Sequence, residues 1–384
     1  MLTNSPWKSA EVELGSPEFE LLVACCRGEQ IAIGDIEVDW ERFFSVAEQH
    51  RVIPQVYAQL AESIGQIPEA CATKLRRAYQ ENARKTLWFT NELLRSLKHL
   101  ADNGIRAVPY KGPALAQVLY GDVTARQFSD LDILVDPQDV ASARTALGNL
   151  GYRPTIELTP AEERAYAESG YEYSFDGPAG PHLLELQWRI LPKFYAIELE
   201  VAELFARAHS TQIGGESVQG LHADDLLLVL CVHAAKHVWG QLSWISDIGR
   251  LAQSPEIDWK EVWNRARVLG IRRIVALSLV LARDLTGLEM PLCAVEWIGQ
   301  DEEMDSLLRE ILRGLHSHWN TESVAYFQLM MRLRERWSDR AKFVSRLTAT
   351  PSVSEWKSVR LPETLFPLYR GVRVARLMRR AVSM

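Results

Sequence analysis

Asp130 and Asp132 stand two apart in the run Ser129-Asp130-Leu131-Asp132-Ile133-Leu134-Val135, and Glu185 stands within Leu184-Glu185-Leu186-Gln187-Trp188. Both runs alternate polar and apolar residues, the pattern of strands buried on one face. Side chains two apart leave a strand on the same side, so the aspartates become neighbours while Leu131 and Ile133 enter the core. Paired carboxylates in a half-buried setting repel one another, and one pKa must rise unless a cation lies between them. Magnesium suits such a pair because it takes one or two carboxylates, keeps several waters and completes its shell with substrate phosphate oxygens. Glu185 and Gln187 share one face of their strand, opposite Leu184, Leu186 and Trp188, so Glu185 is expected to complete the cluster. A third carboxylate gives a two-ion site its asymmetry. One ion lowers the pKa of an acceptor hydroxyl, and the other neutralises a triphosphate and its leaving group. Asp130, Asp132 and Glu185 are therefore the expected catalytic residues and metal ligands.

A second group is carried on a helix. His233, Lys236 and His237 fall at i, i+3 and i+4 and so share one face. Trp244 and Asp247, also three apart, are expected to brace that helix.

The elements that must position these groups are legible in the hydrophobic pattern. Residues 18 to 100 carry apolar residues at helical spacing, as in Leu87, Phe89, Leu93, Leu94, Leu97 and Leu100. The texture changes after Asn103-Gly104. Ile105 to Tyr110 reads as a first strand, Pro113 to Tyr120 as a helix with proline in its first turn, and Ser129 to Val135 as a second strand. A helix over 138–150 closes at Gly151, and Pro160 to Ser169 suggests another. Tyr171 to Phe175 and Leu183 to Trp188 read as two strands joined by the Asp176-Gly177-Pro178-Ala179-Gly180-Pro181 loop. From residue 222 the helical period returns, with Leu226, Leu227, Leu228, Leu230, Cys231 and Ala234 as a buried stripe. The pattern predicts an α+β protein: a helical N-terminal region (1–100), a small mixed-sheet core (101–215) and a helical C-terminal region with a basic tail (216–384).

With these elements in place the chain resembles the nucleotidyltransferase superfamily related to DNA polymerase β, and within it the bacterial family of uncharacterised nucleotidyltransferases. The resemblance rests on Lys111-Gly112 after a strand, Arg126 in the approach loop, Ser129 to Val135, Leu184 to Trp188, and His233-Ala234-Ala235-Lys236-His237 through Trp244 and Asp247. It implies transfer of a nucleoside monophosphate from a nucleoside triphosphate, with two magnesium ions (manganese able to substitute) and pyrophosphate leaving. It also implies that Lys111, Gly112, Arg126 and Ser129 approach the triphosphate. Glycine lets backbone come close there and lysine supplies charge. The helix of His233, Lys236 and His237 is implied to lie beside the nucleotide, with Lys236 and His237 on phosphate or acceptor. Two positions depart from the pattern: Pro113 follows Gly112 where serine or glycine is usual, and Gln187 stands where the family usually has histidine.

Composition narrows the rest. Apolar residues make up 47% and charged ones 24%, which excludes a disordered or collagen-like chain. The net charge of -7 argues against a protein that coats nucleic acid, although basic residues dominate from Met331 onward, with Arg370, Arg373, Arg376, Arg379 and Arg380 at near-helical spacing. Five scattered cysteines form no zinc or redox pair and read as reduced. Glu11, Glu13 and Glu18 stand where a secretory signal would be basic and then apolar, and no run is long enough to span a membrane, so a cytoplasmic protein is expected.

The favoured acceptor is a small molecule or peptide hydroxyl, with RNA reachable through the basic tail. Blander alternatives stand beside these readings: Lys111 and Arg126 as solvated charges, His233 as a hydrogen-bonded core residue, the twelve tryptophans as helix packing, and the tail as a solvated face. A catalytically idle nucleotide-binding or RNA-binding scaffold on the same fold is the rival function.

Overall fold

The computed structural model describes residues 15–29, 31, 33, 37–178, 180–298, 300–315, 319–321, 323–351, 355–356 and 359–382. Glu11, Glu13 and the loop residue Ala179 fall outside them. The chain is α+β. Four helices lead in: α1 (Pro17–Arg27), α2 (Trp40–Gln49), α3 (Ile53–Leu60) and α4 (Glu69–Asp102). The mixed region follows as β1 (Ala107–Pro109), α5 (Gly112–Tyr120), β2 (Leu131–Val135), α6 (Val140–Asn149), β3 (Arg153–Pro154), α7 (Pro160–Ser169), β4 (Glu172–Gly177) and β5 (Gly180–Gln187). Helix α8 (Val201–Arg207) and the hairpin of β6 (His209–Ile213) and β7 (Glu216–Gly220) lead to α9 (Ala223–Lys236) and α10 (Leu242–Ala252). Helices α11 (Trp259–Leu269), α12 (Arg272–Thr286), α13 (Leu292–Ile298), α14 (Met304–Gly314), α15 (Val324–Arg332), α16 (Trp337–Ala349) and α17 (Tyr369–Val382) complete it.

The five-stranded sheet has the order β1-β2-β5-β4-β3. Strands β2 and β5 pair in parallel and the other neighbours antiparallel, so the sheet is mixed as expected. Strand period 2 divides its faces. Leu131, Ile133, Val135, Leu184, Leu186 and Trp188 enter one apolar core with Tyr166, Tyr173 and Phe175. On the other side Val108, Tyr110 and Leu134 join a second core, formed by α1 to α3, the first turns of α4, and the helices from α8 to α16. Asp132, Glu185 and Gln187 therefore face the helical body. Each fully buried leucine in α9 stabilises this packing by about 1.5–3 kcal/mol.

Local signals explain the flanking elements. Thr159 and Glu162 form a reciprocal capping box that starts α7 at Pro160. Helix α4, at 34 residues, is about 50 Å long and touches both cores, through Ala72 and Leu75 at one end and Phe89, Leu93 and Leu100 at the other. Differences from the sequence expectation are local. Strand β2 begins at Leu131, so Asp130 sits on the bend just before it; β3, β6 and β7 were not anticipated.

Part of the basic tail is tied into the fold. Arg373 and Arg376 reach the fully buried Glu355 at 3.4 and 3.1 Å, and Arg373 also donates to the Leu347 carbonyl. Among the described residues no helix is long and apolar enough to cross a membrane, and all five cysteines are free thiols.

Candidate active site

A cavity of about 440 Å³ lies between the acidic face of the sheet and the helical body. All ten residues expected at the catalytic, metal or nucleotide positions line it: Asp130, Asp132, Glu185, Lys111, Gly112, Arg126, Ser129, His233, Lys236 and His237. Arg51, Tyr110, Tyr171, Glu172, Gln187 and Trp244 join them, and of these only Trp244 had been given a part, as a brace.

Parallel pairing of β2 with β5 sets the acidic centre. Asp132 and Glu185 are Cα partners in that register, and the antiparallel pairing of β5 with β4 places Glu172 opposite Gln187. The Gln187 amide nitrogen lies 3.2 Å from Asp132 Oδ1, 2.9 Å from Glu185 Oε2 and 3.4 Å from Glu172 Oε2. Tyr110 donates its hydroxyl proton to the Gln187 carbonyl oxygen, which turns the amide NH2 toward the acids. That group has two hydrogens for three carboxylates. Burial, followed by the charges of Glu172 and Asp132, pushes the Glu185 carboxyl up to about 8. Burial and the neighbouring Asp132 raise Asp130, and burial raises Glu172 against the opposing pull of Lys236.

The cations are placed as closely. Lys111 Nζ donates to Asp132 Oδ1 at 2.6 Å, both side chains being largely shielded from solvent. Burial works against the Lys111 ammonium, but Asp132, Tyr110, Glu185 and Asp130 together outweigh it and the pKa rises. Lys236 lies over the Tyr171 ring and donates to its hydroxyl at 3.4 Å, and that hydroxyl donates in turn to Glu172. Burial depresses the Lys236 pKa, with Glu172 opposing. His233 meets the Trp244 ring edge-on at 5.3 Å and His237 meets it tilted at 5.1 Å between ring centroids. Burial lowers both, His237 to about 3, so the imidazoles stay neutral.

Backbone geometry shapes one end. Lys111 is the residue before the first turn of α5, with Pro113 in that turn, and Lys111 and Gly112 both line the cavity. Gly112 has φ +55°, and a Cβ there would stand 3.2 Å from the Asp130 carbonyl oxygen. Only glycine allows this turn to lie against the aspartate backbone without strain.

The lead-in helices hold the approach loop. Ile53 N–H donates to the Gln127 side chain at 2.8 Å, Gln55 donates to the Ala125 carbonyl, and Asn82 on α4 donates to the Thr124 and Arg126 carbonyls. Arg126 lines the cavity, but its Nε donates to buried Asp247 at 2.9 Å, and Asp247 also accepts from Tyr120. Asp247 thus braces the approach loop and α5, whereas Trp244 packs on the helix of the histidines. Three residues around the site hold the left-handed region without being glycine: Arg51 at φ 55°, and Val238 and Trp239 at 52° and 49° just after α9. Each costs on the order of 1–3 kcal/mol. The Trp239 indole donates to Ser278, and the Tyr326 hydroxyl donates to the Lys236 carbonyl, anchoring that end.

The donor set fits a hard divalent cation. Asp130, Asp132 and Glu185 offer carboxylate oxygens on one wall, and burial, with the neighbouring acids second, raises the Asp130 and Glu185 pKa values, a cost of holding charge there that a cation would offset. As the side chains stand, no three acidic, histidine or cysteine groups among the described residues close around one point. The Lys111 ammonium and the Gln187 amide hold the oxygens instead.

The profile of a family described as uncharacterised nucleotidyltransferase matches residues 37–287, about two thirds of the chain and the whole of this cavity. The chain belongs to that family. Its members are named for nucleotidyl transfer, which implies a nucleotide substrate. A solved structure, an antigenic nucleotidyltransferase-like protein from Paracoccidioides brasiliensis, is similar over 54% of this chain and 95% of its own, at 14% identity and a TM-score of 0.31. No curated protein matches the chain significantly.

Proposed function

We propose that this nucleotidyltransferase-family chain transfers a nucleoside monophosphate from a nucleoside triphosphate to a hydroxyl of a small molecule or peptide, with divalent cations, releasing pyrophosphate. The observation that carries the reading is the placement of Asp132 and Glu185 as register partners beside Asp130, in the cavity onto which Lys111 and the α5 N-terminus open. Asp130, Asp132 and Glu185 would hold magnesium. When bound, the ions supply charge neutralisation at the phosphates and a lowered acceptor pKa.

The remaining work falls to side chains and backbone. The N–H groups of the α5 first turn, with Gly112 allowing close approach, bind phosphate oxygens. Lys111, Arg51 and the exposed Ser129, to whose hydroxyl Arg51 donates at 3.4 Å, supply further donors on the same rim. Neutral His233 and His237 and the Trp244 ring wall the site and exclude water. Glu185, with a carboxyl brought near the working pH, takes the acceptor hydroxyl's proton as the acceptor oxygen attacks the α-phosphorus in line and the bond to pyrophosphate breaks. A cavity of about 440 Å³ is of small-molecule size, which supports a compact acceptor over a folded polymer.

The test is incubation with each nucleoside triphosphate and Mg²⁺ in the presence of a cell extract, followed by mass analysis for a transferred nucleotide and assay of pyrophosphate. Nucleotide binding without pyrophosphate would favour the idle scaffold instead.

A further inference from the structure

The Lys111 ammonium rests on the carboxylate that the proposed function gives to a cation. Its Nζ sits 2.6 Å from Asp132 Oδ1, with side-chain exposures of 12% for Lys111 and 2% for Asp132. The Gln187 amide holds the same oxygen at 3.2 Å. Lys111 is also the residue immediately before α5, so its backbone is fixed beside the turn that faces the phosphates. Its flexible four-carbon stem therefore has two destinations within one cavity: a carboxylate behind it and the rim of the α5 N-terminus in front.

We propose that Lys111 is a two-station residue that couples cation loading to nucleotide binding. This rests on the reading above. In the nucleotide-free protein Lys111 serves as the counter-charge of Asp132 and competes with any divalent ion for Oδ1. A bound triphosphate offers the ammonium a second anionic partner, Lys111 leaves Asp132, and the freed carboxylate turns to the cation. Each ligand thus strengthens the other by reciprocal linkage, and the acidic cluster avoids taking up metal unproductively. The same device accounts for the side-chain arrangement, in which no three acids among the described residues close on one point while the ammonium rests on Asp132.

The experiment is Mn²⁺ titration by electron paramagnetic resonance of wild type, Lys111→Met and Lys111→Arg, each with and without a non-hydrolysable ATP analogue, with folding checked by circular dichroism. Without nucleotide, Lys111→Met is expected to bind Mn²⁺ about tenfold more tightly than wild type, while Lys111→Arg, which keeps the charge, stays near the wild-type value. With the analogue bound, the gap between wild type and Lys111→Met is expected to close, because Lys111 has already left Asp132. A gap that persists undiminished means that Lys111 stays put, and equal or weaker Mn²⁺ binding by Lys111→Met without nucleotide means that it does not compete; either overturns the inference alone. If Lys111→Met does not fold, a Lys111→Arg protein with tighter nucleotide-free Mn²⁺ binding than wild type also overturns it, and one with wild-type binding that rises with the analogue supports it. Failure of wild type to bind Mn²⁺ even with the analogue would bring down both this inference and the proposed function.

Discussion

Asp132 and Glu185 face each other across the parallel strands β2 and β5, and one nitrogen, that of the Gln187 amide, reaches both carboxylates. Register alone produces the meeting. A slip of one residue would turn Glu185 into the core and bring Leu184 or Leu186 to the cavity. The Tyr110 hydroxyl fixes the amide, so a buried tyrosine and a buried glutamine help set the spacing of the acids.

Gln187→Leu keeps the volume and removes the shared donor. Turnover is expected to fall at least about tenfold, since an unmade hydrogen bond to a buried charge costs roughly 1–3 kcal/mol. Steady-state kinetics check this, and an unchanged kcat would mean that the amide does not position the acids.

Glu185 gives stability a pH dependence of definite sign. Its folded carboxyl is pushed up to about 8 from an ordinary 4.5, so across that interval the folded state holds a proton that the unfolded state has lost. Stability from this group is present below the unfolded value and declines as pH rises through that interval. Without divalent cation, the melting temperature of wild type should fall relative to Glu185→Gln between about pH 5 and 8. Melting curves of the two proteins that run parallel across this range would show that Glu185 is not perturbed.

Gly112→Ala places an L-residue at φ +55° with its Cβ against the Asp130 carbonyl. The left-handed conformation costs about 1–2 kcal/mol, and relief of the contact moves Asp130. The melting temperature should drop by a few degrees, while kcat/KM falls about tenfold or more through misplacement. Thermal melts and kinetics on one preparation separate the two effects.

Asp247→Ala leaves Arg126 buried without its carboxylate and is expected to destabilise the fold by about 3–5 kcal/mol in denaturant titration. Replacing both Arg126 and Asp247 with leucine should recover most of that loss. Activity that stays low in the refolded double variant would show that the Arg126 guanidinium also serves the substrate.

The sequence carried much of the site because period 2 and period 3.6 decide which side chains share a face. That arithmetic put Asp132 on the polar face of its strand, Glu185 and Gln187 on one face of theirs, and His233, Lys236 and His237 on one helix face, whose place beside the nucleotide came from the family resemblance; all six line the cavity. Glu172 was missed because its place opposite Gln187 depends on the hairpin length and on the irregular register between Phe175 and Gly177, which alternation does not encode. Arg51 lies 78 positions from the Ser129 hydroxyl it reaches, a purely tertiary relation. The commitment of Arg126 to Asp247 is of the same kind. The β6 and β7 hairpin did leave a signal, Gly214-Gly215, but its strands are largely polar and exposed and lack the apolar alternation used to find the others. The acidic cluster was legible as chemistry; the lysine and amide that occupy it were legible only in three dimensions.

The most direct test of metal-dependent nucleotidyl transfer from this cluster is pyrophosphate release from each nucleoside triphosphate, with Mg²⁺ and extract-derived acceptor, by wild type, Asp130→Asn and Asp132→Asn. Release by wild type that stops on chelation of Mg²⁺ and falls at least about a hundredfold in both folded variants is the predicted result. Undiminished release by either variant, or none from wild type with any triphosphate, would contradict it.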